Sequence, residues 1–209
     1  MNGVDKLFAS LGGKPVSAWS VEAFQKCPLV DQIVIVVSQR NLKKTRQMAL
    51  EQEWTKVAQV CAGGRRRQDS VAAGLAEITD CDWVIIHDGA RPFVTPELIK
   101  RGLAAAKETG AAAAAVPVTD TIKVAGDDRI VCETPPRRYL WAAQTPQVFR
   151  FALITEAYRK AKGDVTDDAS LVEQAGYKTK LYMGSYGNIK ITTPDDLTLA
   201  EVIVQKHGK

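Results

Sequence analysis

Trp83-Val84-Ile85-Ile86-His87-Asp88-Gly89-Ala90-Arg91-Pro92 is the stretch on which the fold turns. Its first four residues are apolar, too few for a helix, and read as a strand buried on both faces. Asp88 and Gly89 stop that strand. Pro96 to Lys107 follows with helical spacing. Pro96 suits its first turn and Gly110 its end. Ala111 to Val116 is then a second apolar run. Strand, helix and strand in this order predict a parallel sheet with helices on both faces, an α/β fold.

The same alternation extends on either side. Gln32 to Val37 is a β-branched run, and Lys56 to Val60 a shorter strand. Leu42 to Trp54 carries mixed charge at helical spacing. Ser70 to Ile78 places Val71, Leu75 and Ile78 on one helical face. Further along, Thr121 to Val124 and Ile130 to Glu133 flank a Gly/Asp-rich turn and read as a hairpin. A hairpin is hard to bury in a compact α/β unit. Residues about 118–140 are therefore expected to form a protruding arm for subunit contact. A helix from about Phe151 to Lys160, strands at Lys178 to Met183 and Asn188 to Thr192, and a helix from Pro194 to about Gln205 complete the chain. No linker or repeat divides it, so residues 1–209 are expected to form one domain.

Composition narrows the function. The 28 Lys and Arg against 24 Asp and Glu leave a net charge of +4. That excess is too small to point to nucleic acid and suits a small anionic substrate. The longest apolar runs fall far short of the ~20 residues that cross a bilayer. Met1 to Ser10 lacks the apolar core of a signal peptide. Cys27, Cys61, Cys81 and Cys132 fit no zinc or redox spacing, which favours a reducing, cytoplasmic setting. Cys61 and Cys81 border apolar runs and are expected in the core.

Ligands of open α/β sheets gather at the carboxyl ends of the strands. After Lys56 to Val60 comes Ala62-Gly63-Gly64-Arg65-Arg66-Arg67-Gln68-Asp69-Ser70. Two glycines permit close approach of a ligand, the arginines supply charge, and Asp69 or Ser70 can cap a helix that receives an anion. A tight turn with solvated arginines fits the same residues. After Trp83 to Ile86, Asp88 can hold a metal or a ribose hydroxyl beside a phosphate bound by Arg91. An Asp–Arg turn pair is the plainer alternative. Lys190 sits between Ile189 and Ile191, on the opposite face of its strand. Phosphate binding and a wet edge strand account for it equally.

In order along the chain, the motifs are Asp5-Lys6-Leu7-Phe8 with Gly12-Gly13-Lys14-Pro15, Gly63-Gly64 with Arg67 and Asp69-Ser70-Val71, and His87-Asp88-Gly89-Ala90-Arg91-Pro92. Then come Pro117-Val118-Thr119-Asp120-Thr121-Ile122-Lys123, Trp141-Ala142-Ala143-Gln144-Thr145-Pro146-Gln147, Thr166-Asp167-Asp168-Ala169-Ser170, Asn188-Ile189-Lys190 and Pro194-Asp195-Asp196-Leu197. This ordered set resembles the 2-C-methyl-D-erythritol 4-phosphate cytidylyltransferases of non-mevalonate isoprenoid synthesis. The resemblance implies a Rossmann-like, three-layer nucleotidyltransferase sandwich with a mostly parallel sheet. It implies transfer of CMP from CTP to methylerythritol 4-phosphate with release of pyrophosphate, assisted by Mg²⁺.

It also implies roles. Lys6, Arg137 and Lys190 would be catalytic: Lys6 on the triphosphate, Lys190 on the α-phosphate and the attacking phosphate, and Arg137, or its neighbour Arg138, on the methylerythritol phosphate. Gly63, Gly64, Ser70, Asp88, Gly89 and Arg91 would bind the nucleotide, with Asp88 near Mg²⁺ or the ribose. Thr121, Thr145 and Thr166 would line the second substrate. The arm would cross to a neighbour in a homodimer, in a bacterial cytosol or plastid-type compartment. Two alternatives share these motifs: a cytidylyltransferase for another polyol phosphate such as ribitol 5-phosphate, and a non-catalytic dimerising paralogue. The family opens with a buried strand and a Gly-rich loop of the A-A-G-x-G-x-R-M kind, whereas this sequence starts at Met1-Asn2-Gly3, roughly 20 residues later by usual strand and loop lengths. The chain as written is therefore expected to fold loosely and to lack activity until those residues are restored.

Overall fold

The computed structural model describes residues 6–161 and 163–207. After a 3-10 turn at Lys6–Phe8, strands β1 (Ser10–Leu11) and β2 (Lys14–Pro15) pair antiparallel. Gly12 and Gly13 turn between them at φ +58° and +85°, a region open to glycine. Helix α1 (Val16–Lys26) leads to β3 (Ile33–Val37), α2 (Leu42–Glu51), β4 (Val57–Ala62) and α3 (Arg67–Ala76). Next come β5 (Trp83–Ile86), α4 (Pro96–Thr109) and β6 (Ala111–Pro117). Pro96 opens α4, the Thr95 side chain caps it, and Gly110 closes it at φ +84°. The hairpin β7 (Val124–Ala125) and β8 (Val131–Glu133) precedes β9 (Trp141–Arg150). Helix α5 (Phe151–Lys160), helix α6 (Asp168–Gln174), strand β10 (Lys180–Met183) and helix α7 (Pro194–His207) follow.

The sheet is mixed, which corrects the mostly parallel sheet expected from the sequence. Four strands lie in the order β10, β6, β9, β5, and β3 pairs with β4 in a separate two-stranded sheet. Strands β5 and β6 do run in the same direction. They are not neighbours, because β9 lies between them, antiparallel to both. The pairs β10–β6 and β3–β4 are parallel. Helices cover both faces. Ala112, Ala114 and Val148 pack with Leu98, Ile99 and Ala106 of α4 and Phe24 of α1. Ala111, Ala113 and Phe149 face the other way, toward Ile154 and Ala157 of α5 and Leu171 and Val172 of α6. This is period-two alternation along a strand buried on both sides.

Small residues let α4 lie close to this sheet. A methyl group on Gly102 would meet Tyr182 Oη at 2.7 Å and Val148 Cγ2 at 2.9 Å. Tyr182 cannot retreat cheaply, because its hydroxyl donates to the Pro146 carbonyl at 2.7 Å. All four cysteines are free, and the buried one is Cys27, whereas Cys61 and Cys81 are half-buried at the sheet margins. The arm is closed at its base by Val118 N–H donating to the Leu140 carbonyl, and residues 119–134 are exposed throughout.

One expected strand is absent. Asn188 to Thr192 forms no ladder. Ile191 N–H reaches across to the Ala90 carbonyl at 2.8 Å, its one backbone-to-backbone bond with the turn after β5. Lys190 is therefore carried on an irregular segment docked against that turn, not on a strand.

Candidate active site

Strand β5 delivers Asp88 to its carboxyl end, and three cations converge on it. Arg67, the first residue of α3, places Nε 3.0 Å from Asp88 Oδ1. Lys190 Nζ lies 2.8 Å from Oδ2, and Arg91 Nε lies 3.7 Å from the same oxygen. Burial pushes the Asp88 pKa up, but Arg67 and Lys190 outweigh it and hold the carboxylate at about 2. Asp88 is thus an anion at any working pH. Arg67 also pairs with Asp168, whose side chain is 1% exposed, at 2.7 Å.

The opposite wall comes from β9. Between Ala113 and Ala115 of β6 the ladder skips, so that Gln144, Thr145 and Pro146 bulge out of register. Bulges commonly re-aim side chains beside a site. Here Asp88 N–H donates to Thr145 Oγ1 at 3.0 Å, and Thr145 Oγ1 lies 3.0 Å from His87 Nδ1. His87 Nε2 lies 3.0 Å from the Arg91 carbonyl, which can only accept. Nε2 therefore carries the proton, and Nδ1 accepts from the threonine hydroxyl. Asn188, fully buried, donates from Nδ2 to the Thr145 carbonyl at 2.8 Å. Its own backbone carbonyl receives Arg91 Nη1 at 2.7 Å. Gln147 ties the next loop down, donating to Asp167 Oδ2 at 2.7 Å and accepting from Ala169 N–H at 3.0 Å.

His87 thus holds the turn together. Burial pulls its pKa from 6.5 down to about 4. The unfolded chain then binds more protons than the folded one between those values, so stability falls as pH drops from 6.5 to 4. The expected loss is about 2–3 kcal/mol across that window. Urea midpoints measured along the pH range should show this slope in the natural chain and lose it in His87→Asn. An unchanged slope in the variant would assign the effect to other groups.

Five residues expected from the sequence meet in this cleft: Asp88, Arg91, Thr145, Thr166 and Lys190. Arg67, Gln144, Gln147 and Asp167 line it as well, and sequence reasoning does not single them out as site residues. Gly89 lies in the same turn, where its carbonyl accepts from Ser20 Oγ at 3.2 Å. Lys6 does not line the cleft, but its turn is adjacent: a Cβ on Gly89 would stand 3.4 Å from Leu7 Cδ2. Gly63 and Gly64 are filled from within. A methyl group there would strike Ser70 Oγ at 2.5 Å and Asp69 Cβ at 2.3 Å, so the glycines let the first turn of α3 fold back on the loop. Arg137 and Thr121 sit elsewhere. Arg137 lies at the base of the arm, beside Pro117, Val118 and Arg138, and donates to the Thr119 carbonyl. Thr121 is on the exposed arm. The expectation built on Met1-Asn2-Gly3 falls outside the described residues.

Among the described residues, no three His, Cys, Asp or Glu side chains are grouped to hold a metal. Asp88 is the one cleft carboxylate that neither caps a helix nor bonds Gln147. A single carboxylate fits a Mg²⁺ carried largely by phosphates and water, and does not make a cage for a resident ion.

A cation-rich cleft at the strand ends of an α/β sheet suits phosphate chemistry. Solved structures of the same shape carry names of that chemistry. The 4-diphosphocytidyl-2C-methyl-D-erythritol synthase of Anaerococcus prevotii matches with TM-score 0.89 at 31% identity, covering 98% of this chain and 92% of that one. The 2-C-methyl-D-erythritol 4-phosphate cytidylyltransferase of Thermus thermophilus matches with TM-score 0.81 at 32% identity, covering 96% and 94%. Fold and site together define a nucleotidyltransferase. The family model for 2-C-methyl-D-erythritol 4-phosphate cytidylyltransferase, IspD, matches residues 1–206. The enzyme so named from Dehalococcoides mccartyi (strain ATCC BAA-2266 / KCTC 15142 / 195) is 50% identical over 206 residues, 99% of this chain and 91% of its own length. The chain belongs to this IspD family. It is a CTP-dependent cytidylyltransferase that makes CDP-methylerythritol in non-mevalonate isoprenoid synthesis, and the two alternative readings give way.

Proposed function

We propose that CTP and methylerythritol 4-phosphate react in the cleft lined by Asp88, Arg91 and Lys190. The Lys190–Asp88 pair carries this reading, because it sets a partly exposed ammonium at the end of β5 beside two arginines. A phosphate oxygen of methylerythritol phosphate attacks the α-phosphorus of CTP in line, and the bond to pyrophosphate breaks. Two anions must meet, so the protein contributes positioning and charge neutralisation. Lys190 moves from Asp88 onto the α-phosphate and the attacking phosphate. Arg91 adds fixed positive charge behind them, and Lys6 reaches the triphosphate from the adjacent turn. The Thr145 hydroxyl is committed to His87 and the Asp88 N–H, so it shapes the wall. Thr166 borders the second substrate. The backbone around Gly64 and Ser70 borders cytosine, where unpaired polar groups reject other bases. Asp88 would hold a Mg²⁺ ion, which would supply neutralising charge to the phosphates.

Arg137 completes the site from a second copy of the chain. Its place outside this cleft and the exposed apolar residues of the arm, Ile130 at 67% and Val131 at 52%, support a homodimer. The chain acts as a single catalytic domain and works in the bacterial cytosol. Among the described residues, no helix is long and apolar enough to cross a membrane.

Mixing tests the shared site. Lys190→Ala and Arg137→Ala homodimers are each expected to be nearly inactive. After unfolding and refolding an equal mixture, half of the dimers are mixed, and each has one site free of both changes. About a quarter of natural activity should return, as two-fold symmetry requires. No recovery, with mixed dimers shown to form, would place Arg137 in the site of its own chain or outside any site.

A further inference from the structure

We propose that Asp168 is a positioning residue for this reaction: it restrains Arg67 to one oxygen of Asp88 and so leaves the other oxygen to Lys190. The inference rests on the reading of the Asp88–Lys190 cleft as the reacting site.

The geometry is a line of alternating charge. Asp168 Oδ2 meets Arg67 Nη2 at 2.7 Å, Arg67 Nε meets Asp88 Oδ1 at 3.0 Å, and Asp88 Oδ2 meets Lys190 Nζ at 2.8 Å. A guanidinium facing a single carboxylate tends to grip both oxygens with its planar fork. Here the guanidinium is shared between two carboxylates: Nε donates to Asp88, and Nη2 is held against Asp168 as an ion pair. Asp168 can do this because it is buried and held by its neighbours. Its side chain is 1% exposed, at the start of α6, where the helix dipole favours a negative charge. Tyr158 Oη donates to its other oxygen at 2.5 Å. Burial and the Asp168 charge hold the tyrosine pKa well above its usual value, so that hydroxyl is a permanent donor. Ala169 N–H, bonded to Gln147, fixes the first turn of α6 to the sheet. The anchor is therefore built from β9, α5 and α6, while the side chains of Arg67 and Lys190 are 33% and 36% exposed at the cleft.

Without the Asp168 charge, Arg67 is free to take both oxygens of Asp88 and displace Lys190. The protein keeps its charges near the phosphates but loses their arrangement. Turnover should suffer more than CTP binding.

The test is a double-mutant cycle in the full-length protein, reading kcat and KM for CTP by pyrophosphate release, with thermal melts on every variant. Asp168→Asn keeps the volume and the acceptor for Tyr158. It should lower kcat about tenfold, a coupling within the usual range for a contacting pair, with KM within about twofold. Arg67→Lys removes the fork, so adding Asp168→Asn to it should cost less than about twofold further. An equal loss in both backgrounds would overturn the proposal, because a role in folding alone does not depend on the fork. Tyr158→Phe keeps every charge and loosens only the anchor. It should lower kcat in the natural background and leave Arg67→Lys unchanged; no effect in either background would also overturn the proposal. It decides the matter if Asp168→Asn does not fold. Lys190→Ala is the control for the underlying reading. If that variant is fully active, the reacting site is elsewhere; if it is inactive while the cycle is additive, only the role of Asp168 fails.

Discussion

Lys190→Ala is expected to lose on the order of a hundredfold or more in turnover, the scale of removing one preorganised electrostatic stabiliser. Folding should survive. The Lys190 side chain is 36% exposed, and its ion pair with Asp88 is one of three that this carboxylate makes. The large effect comes from timing. In the free protein Lys190 is held at 2.8 Å by Asp88, and under the proposed mechanism the developing negative charge on the phosphates draws it away. A cation that strengthens its contact only as charge develops lowers the barrier more than it improves binding. The check is pyrophosphate release from CTP beside thermal melts. A fully active Lys190→Ala protein with an unchanged melt would restore the plain reading, in which this lysine sits on a wet surface.

What the sequence shows and what it hides divide along physical lines. Helix α5 spans Phe151–Lys160 as its spacing predicts, and β6 contains the Ala111 to Val116 run. Both have one clear period and terminal signals. Strand β9 escapes a sequence reading because Pro146 and the bulge at Gln144 and Thr145 break its alternation. Once β9 is inserted, β5 and β6 keep their common direction and lose their pairing. Helix α6 is 7 residues long, too short for periodicity to register. The stretch Asn188 to Thr192 reads as a strand because Ile189 and Ile191 alternate with Lys190. Burial of that segment comes instead from Ile191 packing beside Leu11, Val16 and Ala200.

Asp88, Arg91, Thr145, Thr166 and Lys190 are legible through the strand-end motifs and the family resemblance those motifs carry. The placing of Arg67 is not, since Arg65, Arg66 and Arg67 are identical in composition and differ only in helix phase. Arg66 turns outward to Asp69 and Asp164, while Arg67 turns inward to Asp88. Asp167 and Asp168 pose the same problem. One caps α6 through Ser170 N–H at 3.0 Å, and the other is buried beneath it. Adjacent identical residues with opposite fates can be separated only by the three-dimensional placement of the helix they begin.

Asp88→Asn is expected to damage both stability and turnover, and an added polyanion should repair the first without the second. The carboxylate is 13% exposed and faces Arg67, Lys190 and Arg91 at 3.0, 2.8 and 3.7 Å. Neutralising it leaves Arg67 with Asp168 and removes the carboxylate partner of Lys190 and Arg91. Breaking a partly buried pair of this kind costs about 2–4 kcal/mol, somewhat below the value for full burial. For a chain of this size that lowers the melting temperature by roughly 5–15 °C. The acid dependence has a defined sign. The folded pKa of about 2 lies below the unfolded value, so this contribution is complete above ~4 and is lost as pH falls toward 2. The Asn variant should lack that acid limb while keeping the one between 6.5 and 4 that His87 produces. Pyrophosphate supplies the missing negative charge from outside. It should raise the melting temperature of Asp88→Asn by more than that of the natural chain, since the variant presents more uncompensated charge to it. Turnover should remain at least about a hundredfold down even in the stabilised variant, because the carboxylate that holds Lys190 and Arg67 in register is gone. Equal melting temperatures and equal pyrophosphate effects in the two proteins would mean that the three cations do not depend on Asp88, and that the cleft is organised by Asp168 and the backbone of the Asn188 segment instead.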